Sequence, residues 1–412
     1  MPEPRAVRPL TSSERMFVRL GTVVGYSALV RGDLDPWLLA QAYEVLTHTY
    51  PALTARLQSV GHDVMLVETP GPHHGVTVRA GDTDDPLAGA RIDPQYALSG
   101  LHIVKNAERT AVTLLVHHAI ADGRHALAIV ADFWSCYTDL VAGSAVTNGP
   151  YAFPTSFEAL SEARGIAPIP TESPNATRLA VVRPVQAVPK PRAVCSARIR
   201  LDREDTSALI AFGHRNGLTV NALLSAAILR TEAAIQRVPI TALTYFYPVD
   251  MRTRLLPIVE KTTATNVLGY AIYEPARARQ AIVGLARTVH HRLRAGLLDG
   301  SVHRAGLRFP AALEAGIVGT GPSRVLSSTN WGVMSAPRHP PGLEIVDFRG
   351  IFGKAASQHP PVAAAEREVP NYVILTFCGR LSVEVTVVGA VDDKSAAQRV
   401  ATMEDELAYL TG

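Results

Sequence analysis

Apolar residues recur at helical spacing in several segments of the chain. Asp35-Pro36 has the form of a helix N-cap followed by a first-turn proline, and the stretch WLLAQAYEVLTHTY continues from it as an amphipathic helix. The same spacing predicts helices over 203–214, 219–237 and 279–297 and a final helix that begins near Asp392. The apolar stripe of the first helix consists of Leu38, Ala42, Val45 and Leu46.

Short apolar runs bounded by turn residues predict strands between these helices. Two of them flank the polar turn Lys105-Asn106-Ala107-Glu108 and predict a hairpin. A second pair, NYVILTF and RLSVEVTVV, is separated by Cys378-Gly379 near the end of the chain. The remaining strand predictions, with the hairpin, cover residues 63–67, 101–104, 110–116, 195–201 and 242–247.

A proline-rich stretch divides the pattern into two parts. Six prolines between Gly165 and Arg192 are incompatible with a continuous helix or a central strand. The sequence therefore predicts an N-terminal domain over 1–165, a linker over 166–192 and a C-terminal domain over 193–412. Because strands and helices are mixed in both parts, two α/β domains are expected, each with a sheet flanked by helices.

Composition fits a large globular core and excludes some classes of protein. Of the 412 residues, 47% are hydrophobic and 19% are charged. The net charge of +3 is too small, and its Lys and Arg too dispersed, to predict nucleic-acid binding. No apolar run reaches the roughly 18 residues of a membrane span, and the start MPEPRAVRPLTSSERMF lacks an apolar signal core. The expected location is the cytoplasm.

Several common catalytic arrangements are missing from the sequence. Cys136, Cys195 and Cys378 are far apart and odd in number, so they form neither a disulfide framework nor a zinc-ligand spacing. There is also no G-x-S-x-G nucleophile elbow, no Walker phosphate loop and no G-x-G-x-x-G fingerprint. A covalent serine mechanism and a nucleotide cofactor are therefore not predicted.

The candidate chemistry lies in HHAIADG, between a predicted strand and a predicted helix. In VTLLVHH, the two-residue period of a strand sends His117 and His118 to opposite faces. Neutral imidazole can take the proton of a hydroxyl group as its oxygen attacks a carbonyl carbon. His118 is thus predicted as a general base at the end of the strand, and His117 as a packed, hydrogen-bonded histidine of the supporting face.

Asp122 and Gly123 are predicted to shape the turn that follows. The Asp122 carboxylate can hold the turn by pairing with an arginine or with backbone amides, and Gly123 allows a dihedral angle or a close approach that a side chain would block. The pairs His73-His74 and His290-His291 lack Asp-Gly at this spacing. A metal site formed by His117, His118 and Asp122 is disfavoured, because adjacent histidines on a strand point in opposite directions.

These segments resemble the condensing acyltransferases, which include chloramphenicol acetyltransferase, nonribosomal-peptide condensation domains and wax ester synthases. Within that superfamily they are most similar to the polyketide-associated family of phthiocerol/phthiodiolone dimycocerosyl transferases. The likeness runs along the chain through RPLTSSERMF, HHAIADG, LTVNALLSAAILRTE, YPVDMRTRL, TNVLGYAIY and PPGLEI. It implies two chloramphenicol-acetyltransferase-like domains with an active-site channel at their interface.

The resemblance also implies roles for individual residues. His118 would be the general base and Asp122 a structural residue, with no metal. Arg252 and Arg338 lie in segments that resemble arginine-bearing ones of the family. Carrier-protein docking or stabilisation of the domain interface is one interpretation of each arginine; a surface role or a structural ion pair is the other.

The sequence departs from the family pattern at one motif. The motif D-F-G-W-G is absent, and Ser328-Thr329-Asn330-Trp331-Gly332 lies in a comparable region, while Asp347-Phe348-Arg349-Gly350 matches only in part. Asn330 and Trp331 are therefore candidate binding residues, with a core position for Trp331 as the alternative.

The predicted activity is transfer of a long-chain acyl group from a thioester to the hydroxyl group of an alcohol or diol. The thioester of coenzyme A or of phosphopantetheine on an acyl carrier protein is a co-substrate, and no other cofactor is expected. The expected partners are a carrier protein or polyketide synthase carrier domain and a long-chain alcohol, with transient contact with a membrane surface and a monomeric state. Two alternatives remain open: an amide-forming condensation enzyme, and a noncatalytic module that binds carrier proteins.

Overall fold

The computed structural model describes residues 5–61, 63–68, 75–146, 149–166, 193–278, 280–314, 324–355, 368–389 and 394–411. Within these residues the strands are β1 (Arg5–Pro9), β2 (Thr22–Arg31), β3 (Ala55–Val60), β4 (Asp63–Glu68), β5 (Val76–Ala80), β6 (Ser99–Lys105), β7 (Thr110–His117), β8 (Ala193–Arg200), β9 (Leu243–Asp250), β10 (Leu268–Tyr273), β11 (Arg324–Met334), β12 (Glu344–Lys354), β13 (Val369–Phe377) and β14 (Arg380–Gly389).

The helices of the same residues are α1 (Ser12–Leu20), α2 (Pro36–Thr49), α3 (Gly123–Val141), α4 (Phe157–Glu162), α5 (Arg203–Arg215), α6 (Val220–Ile235), α7 (Ile282–Leu298), α8 (Ser301–Glu314) and α9 (Ser395–Thr411). Every helix predicted from the sequence is present, with ends that differ by a few residues. The patterns missed α1, α4 and α8, and they missed the strands β1, β2, β3, β5, β10, β11 and β12.

The chain forms two compact units. Unit 1 contains Met1–Ala167, Met251–Val267 and Ser335–Pro361; unit 2 contains Pro168–Asp250, Leu268–Met334 and Val362–Gly412. These units differ from the continuous domains predicted over 1–165 and 193–412, because two stretches of the later half belong to unit 1. Proline content marks a break in the chain, but it carries no information about strand pairing. The predicted linker lies almost wholly outside the described residues.

Unit 1 contains two sheets. Its five-stranded sheet has the order β12-β2-β7-β6-β5, in which β5 and β6 are parallel and the other neighbours are antiparallel. Its three-stranded sheet has the order β1-β4-β3. The predicted hairpin is confirmed as β6 and β7, and its turn is held by Asn106, whose side-chain oxygen accepts hydrogen bonds from the amides of Glu108 and Arg109.

The start of helix α2 agrees with the sequence prediction, but its buried face differs from the predicted stripe. The Asp35 carboxylate accepts hydrogen bonds from the amides of Trp37 and Leu38, which is the N-cap expected before a first-turn proline. The buried face of the helix contains Leu39, Ala42, Tyr43 and Leu46. The predicted stripe is therefore wrong by about one position at Leu38 and Val45, because packing against α3 selects the face that is covered.

Unit 2 is built on one mixed sheet of six strands, in the order β10-β9-β11-β13-β14-β8. Strand β11 is parallel to both of its neighbours, and the other pairs are antiparallel. Helix α6 packs against α7 and α9, and it is buried over most of its length. The predicted mixed α/β architecture, with sheets flanked by helices, is confirmed.

Among the described helices, none is by itself long and apolar enough to cross a membrane. The pair α5 and α6 meets that test of length and composition only when it is taken together across a bend of 102°.

A buried network of charges connects α6, α9 and β13 in unit 2. Arg399 of α9 donates hydrogen bonds to Glu232 of α6 and to Glu368, each at 2.7 Å. The hydroxyl group of Tyr372 donates a further hydrogen bond to Glu232 at 2.6 Å. Arg399, Glu232 and Tyr372 are almost completely buried. Because each charge has a partner, the network attaches the last helix to the centre of the unit.

Replacing Arg399 with Met should therefore destabilise the protein strongly. The change leaves the buried carboxylate of Glu232 without its cation, and we expect the free energy of unfolding to fall by about 3–5 kcal/mol in urea denaturation. Arg230→Met is the matched control, because Arg230 joins the same two helices through Glu406 at 2.6 Å but is 38% exposed. Its loss should cost about 0–1 kcal/mol, and equal losses would contradict the prediction.

Candidate functional site

The candidate base, His118, lies one residue beyond the end of β7. Its backbone amide donates a hydrogen bond to the carbonyl group of Thr22, which extends the pairing with β2 past the last ladder residue. The side chain is half-buried, whereas that of His117 is completely buried. The two adjacent histidines are therefore in different environments.

The side chain of Asn266 contacts His118 twice. Its Nδ2 donates a hydrogen bond to the carbonyl oxygen of His118 at 3.0 Å, which leaves Oδ1 facing the ring nitrogen Nδ1 at 3.1 Å. Because an amide oxygen can only accept, this contact requires the proton of the neutral imidazole on Nδ1. The other nitrogen, Nε2, then carries the free lone pair that a general base needs.

The ring of Phe17, from α1, covers one face of the His118 imidazole. The two ring centroids are 3.8 Å apart, and their planes differ by 8°. Phe17 is itself buried. His118 is thus held by an aromatic ring against its face and by an amide at one edge.

The electrostatic surroundings keep His118 neutral. Burial lowers the pKa of His118 below its usual value. A hydrogen bond to its own carbonyl group, the negative charge of Asp122 and the hydrogen bond with Asn266 oppose this effect without cancelling it. At neutral pH the imidazole is consequently in the form that accepts a proton.

His117 occupies the supporting position that the strand pattern predicts. Its Nδ1 accepts a hydrogen bond from the amide of Ala119 at 3.2 Å, and its buried Nε2 has no hydrogen-bond partner among the described residues. Burial, followed by the proximity of His118, lowers the pKa of His117 to about 3. His117 is therefore a neutral, packed residue with one of its two ring nitrogens hydrogen-bonded.

Asp122 has both kinds of partner that were considered for it. It is the N-cap of α3, where Oδ1 accepts a hydrogen bond from the amide of His125 at 3.0 Å. Its Oδ2 accepts hydrogen bonds from Arg252 Nη1 and from the amide of Val267, each at 2.8 Å. Asp122 and Arg252 are almost completely buried. Their ion pair therefore joins the motif to the segment 251–267.

Gly123 is the first residue of α3, and its φ angle is not in the left-handed region. Of the two roles predicted for Gly123, the structure therefore does not use an unusual dihedral angle, and a close approach stays a prediction. The N-cap conformation of Asp122, which is extended, already makes the turn from β7 into the helix.

The two candidate docking arginines differ in their surroundings. Arg252 lies in a short 3-10 turn and is 3% exposed, so the structural ion pair replaces the docking role for this residue. Arg338 is 54% exposed and pairs with Asp139 of α3 at 2.6 Å. An exposed side chain with a single surface ion pair remains available to a partner. Arg338 therefore stays a candidate.

Asn330 and Trp331 lie on β11 in unit 2. The exposed side chain of Asn330 donates a hydrogen bond to Asn221 and accepts one from the amide of Gly332. Trp331 is 6% exposed, which agrees with a core position rather than a binding one. Alternation along the strand accounts for this difference between neighbouring residues.

Among the residues that the structure describes, no three His, Cys, Asp or Glu side chains are close enough to hold a metal ion. The sequence-based prediction of a metal-free site therefore stays a prediction, supported by the chemistry of the residues around His118.

Sequence reasoning missed Phe17 and Asn266. Both lie in segments that carry the family resemblance, RPLTSSERMF and TNVLGYAIY, yet neither has a motif of its own. Phe17 is 101 positions before His118, and Asn266 is 148 positions after it. Only the folded chain brings the three side chains together.

Sequence comparisons with known proteins identify a family of transferases. A family model described as the phthiocerol/phthiodiolone dimycocerosyl transferase C-terminus matches residues 190–386. The phthiocerol/phthiodiolone dimycocerosyl transferase of Mycobacterium tuberculosis (strain H37Rv) is 33% identical over 366 residues, which cover 84% of this chain and 86% of the relative.

Solved structures show the same likeness. The polyketide synthase associated protein 5 from Mycobacterium tuberculosis superposes with a TM-score of 0.81 and 30% identity, covering 100% of this chain and 99% of the other. A trichothecene 15-O-acetyltransferase from Fusarium sporotrichioides has a TM-score of 0.68 at 9% identity, over 99% and 95% of the two chains, which supports the fold alone.

The fold and these relatives define the chain as an acyltransferase. It belongs to the phthiocerol/phthiodiolone dimycocerosyl transferase family. The predicted class, an acyltransferase of lipid biosynthesis, is confirmed at this level.

The buried pair of Asp122 and Arg252 should make stability depend on pH. Burial raises the pKa of Asp122, but the charge and hydrogen bond of Arg252 and two backbone amides outweigh burial and lower it overall. Because the folded pKa is below the unfolded one, the contribution to stability is complete above about pH 4 and is lost as pH falls through the folded pKa.

The test compares wild type with Asp122→Asn in urea unfolding across pH. At pH 7 the variant leaves Arg252 buried without its anion and should lose about 3–5 kcal/mol. The difference should shrink as the solution is acidified. A difference that is independent of pH would show that the carboxylate charge is not what stabilises the turn.

Proposed function

We propose that the chain transfers a long-chain acyl group from a thioester to the hydroxyl group of an alcohol or diol, with His118 as the general base. The observation that carries this proposal is the pair of contacts with Asn266, which places the imidazole proton on Nδ1 and leaves Nε2 unprotonated. The pKa of His118, which burial keeps below its usual value, favours the same neutral form at pH 7.

The reaction then needs a single displacement. Nε2 of His118 takes the hydroxyl proton as the oxygen forms a bond to the thioester carbonyl carbon. The tetrahedral intermediate collapses with cleavage of the carbon–sulfur bond, and the imidazolium returns the proton to the departing thiolate. The products are an ester and a free thiol, and no acyl-enzyme forms.

Family membership supports a lipid substrate and a carrier-bound donor. The curated relatives are named as dimycocerosyl transferases that act on phthiocerol or phthiodiolone, and one similar structure is named as polyketide synthase associated. For this chain we propose a long or branched acyl group, a long-chain alcohol acceptor and a donor thioester on coenzyme A or on a carrier-protein phosphopantetheine. Its exposed Arg338 is the docking candidate that the structure leaves open.

Asp122 and Arg252 serve the reaction indirectly in this proposal. Their ion pair joins the turn after His118 to the segment that contains Asn266. The pair therefore keeps the base and the residue that orients it on one rigid support.

Replacing His118 with Ala should abolish ester formation while the protein stays folded. Loss of a general base costs roughly 10²–10⁴ in rate, or about 3–5 kcal/mol of activation free energy. The assay measures thiol release and ester formation from a long-chain acyl coenzyme A, or from an acylated carrier domain, with a panel of long-chain alcohols and amines.

The matched control is His291→Ala. His291 belongs to another His-His pair, but it is exposed on α7 and lacks the Asp-Gly that follows His118. Equal activity of wild type and His118→Ala would remove His118 from the mechanism, and amide products would replace the ester assignment. Binding of acylated carrier without turnover on any acceptor would favour the noncatalytic module.

The pH dependence of catalysis should report the state of His118. The base is active only when it is neutral, so kcat/KM should fall on the acid side with a midpoint below about pH 6.5, the usual pKa of histidine. The profile is measured with a short-chain soluble thioester at constant ionic strength. A midpoint above pH 7 would contradict burial as the dominant influence on the imidazole.

A further inference from the structure

Phe17 and His118 form a close, nearly parallel ring stack. Their centroids are 3.8 Å apart, and the angle between their planes is 8°. The phenyl ring therefore covers one face of the candidate base at van der Waals distance.

Stacking and hydrogen bonding restrain different motions of the imidazole. The contact between Asn266 and Nδ1, at 3.1 Å, acts at the edge of the ring and sets which nitrogen faces outwards. The ring of Phe17 acts on the face and resists tilting of the imidazole out of its plane. With both in place, the direction of the Nε2 lone pair is fixed.

The helix that carries Phe17 is fixed to the same segment that carries Asn266. Glu14, one turn before Phe17 on α1, pairs with Arg8 at 2.6 Å. Its carboxylate also accepts a hydrogen bond from Thr265 Oγ1 at 2.7 Å, and Thr265 directly precedes Asn266. Because Glu14 is completely buried, this anchor holds α1 in register with the site.

The C-terminus of α1 adds a second restraint. The helix stops at Gly21, whose φ of 58° is in the left-handed region, and its amide bonds back to the carbonyl groups of Phe17 and Val18. Phe17 therefore lies in the last two turns of a helix that is fixed at both ends. The stack is a consequence of how α1 is anchored.

The face of an aromatic ring stabilises a stacked cation more than it stabilises a stacked neutral ring. The face of a benzene ring carries partial negative charge, and a cation within about 6 Å of its centroid is attracted to it. The imidazole of His118 becomes such a cation when it takes a proton. The stack therefore favours the charged form that exists only during the reaction.

The ionisable groups on the elements packed around His118 comprise two ion pairs and three residues that are neutral or buried. They are Asp122 paired with Arg252, Glu14 paired with Arg8, the neutral His117 and His125, and the buried Tyr26. The charge of Asp122 favours the imidazolium, and burial opposes it. The ring of Phe17 adds a second stabilisation of the imidazolium, and this one acts on the face of the imidazole ring.

We propose that Phe17 is a positioning residue for His118, whose ring face holds the imidazole plane and stabilises the imidazolium that forms when Nε2 takes the hydroxyl proton. This inference rests on the proposed function of His118 as the base. Packing of α1 could also produce the stack, and the variants below distinguish packing from an effect on the imidazolium.

The main variant is Phe17→Leu, which keeps an apolar side chain and removes the aromatic face. We expect kcat to fall by about 2–30-fold with little change in KM. Because loss of the stack disfavours the imidazolium, the acid-side midpoint of kcat/KM should move to lower pH by about 0.4–1.5 pH units. Phe17→Tyr restores an aromatic face and should restore both values. If Phe17→Leu does not fold, Phe17→Met replaces it.

A second measurement does not depend on catalysis. The titration of the His118 ring is followed by NMR, and its signals are identified among those of the 14 histidines by their absence in His118→Ala. The pKa of His118 should be lower in Phe17→Leu than in wild type, and close to wild type in Phe17→Tyr. An unchanged pKa in Phe17→Leu would overturn the proposal.

Phe133→Leu is the control for loss of packing. Phe133 is 2% exposed on α3 and packs its ring against Trp134. Its replacement should lower stability without moving the His118 titration or the acid-side midpoint. Equal shifts in both variants would assign the effect of Phe17 to packing. Failure of the proposed function can be distinguished from failure of the Phe17 proposal. If His118 is not the base, wild type and His118→Ala will have the same activity.

Discussion

The buried ion pair between Asp122 and Arg252 is the constraint on which the candidate site depends. Two almost fully buried charges are tolerated only when each is paired and hydrogen-bonded, and the carboxylate of Asp122 uses both of its oxygens to achieve this. One oxygen starts α3, and the other binds Arg252 and the amide of Val267. The position of the segment 251–267 is thereby tied to the turn that follows His118.

This tie explains how distant parts of the chain form one site. His118 comes from the end of β7, Asn266 from the segment that Arg252 anchors, and Phe17 from α1, which Glu14 fixes to Thr265. Asn266 and Phe17 restrain different degrees of freedom of the imidazole. Burial keeps the ring neutral, and the amide of Asn266 directs the free lone pair to Nε2. These contacts give the imidazole the protonation and orientation that the proposed general base needs.

The same principle of distant contributions applies to the sheets. Strand β12, from the later half of the chain, pairs with β2 and completes the sheet that positions His118. Segments far apart in sequence therefore share one core in unit 1. Unit 2 has its own buried support, in which Arg399 of the last helix is neutralised by Glu232 and Glu368.

The sequence by itself determined the features that depend on local spacing. The N-cap at Asp35, the hairpin around Asn106 and the strand-to-helix context of HHAIADG follow from side-chain chemistry within a few residues, and the candidate base and acyltransferase class followed from the same motif and its resemblance. Tertiary structure decided the rest. The buried face of α2, the membership of β12 in the first sheet, the burial of Arg252 and the stack of Phe17 on His118 all depend on contacts between segments far apart in the sequence. His118 and Asn266, for example, are 148 positions apart. Such contacts are selected by the packing of the whole core, and no periodicity along the chain encodes them.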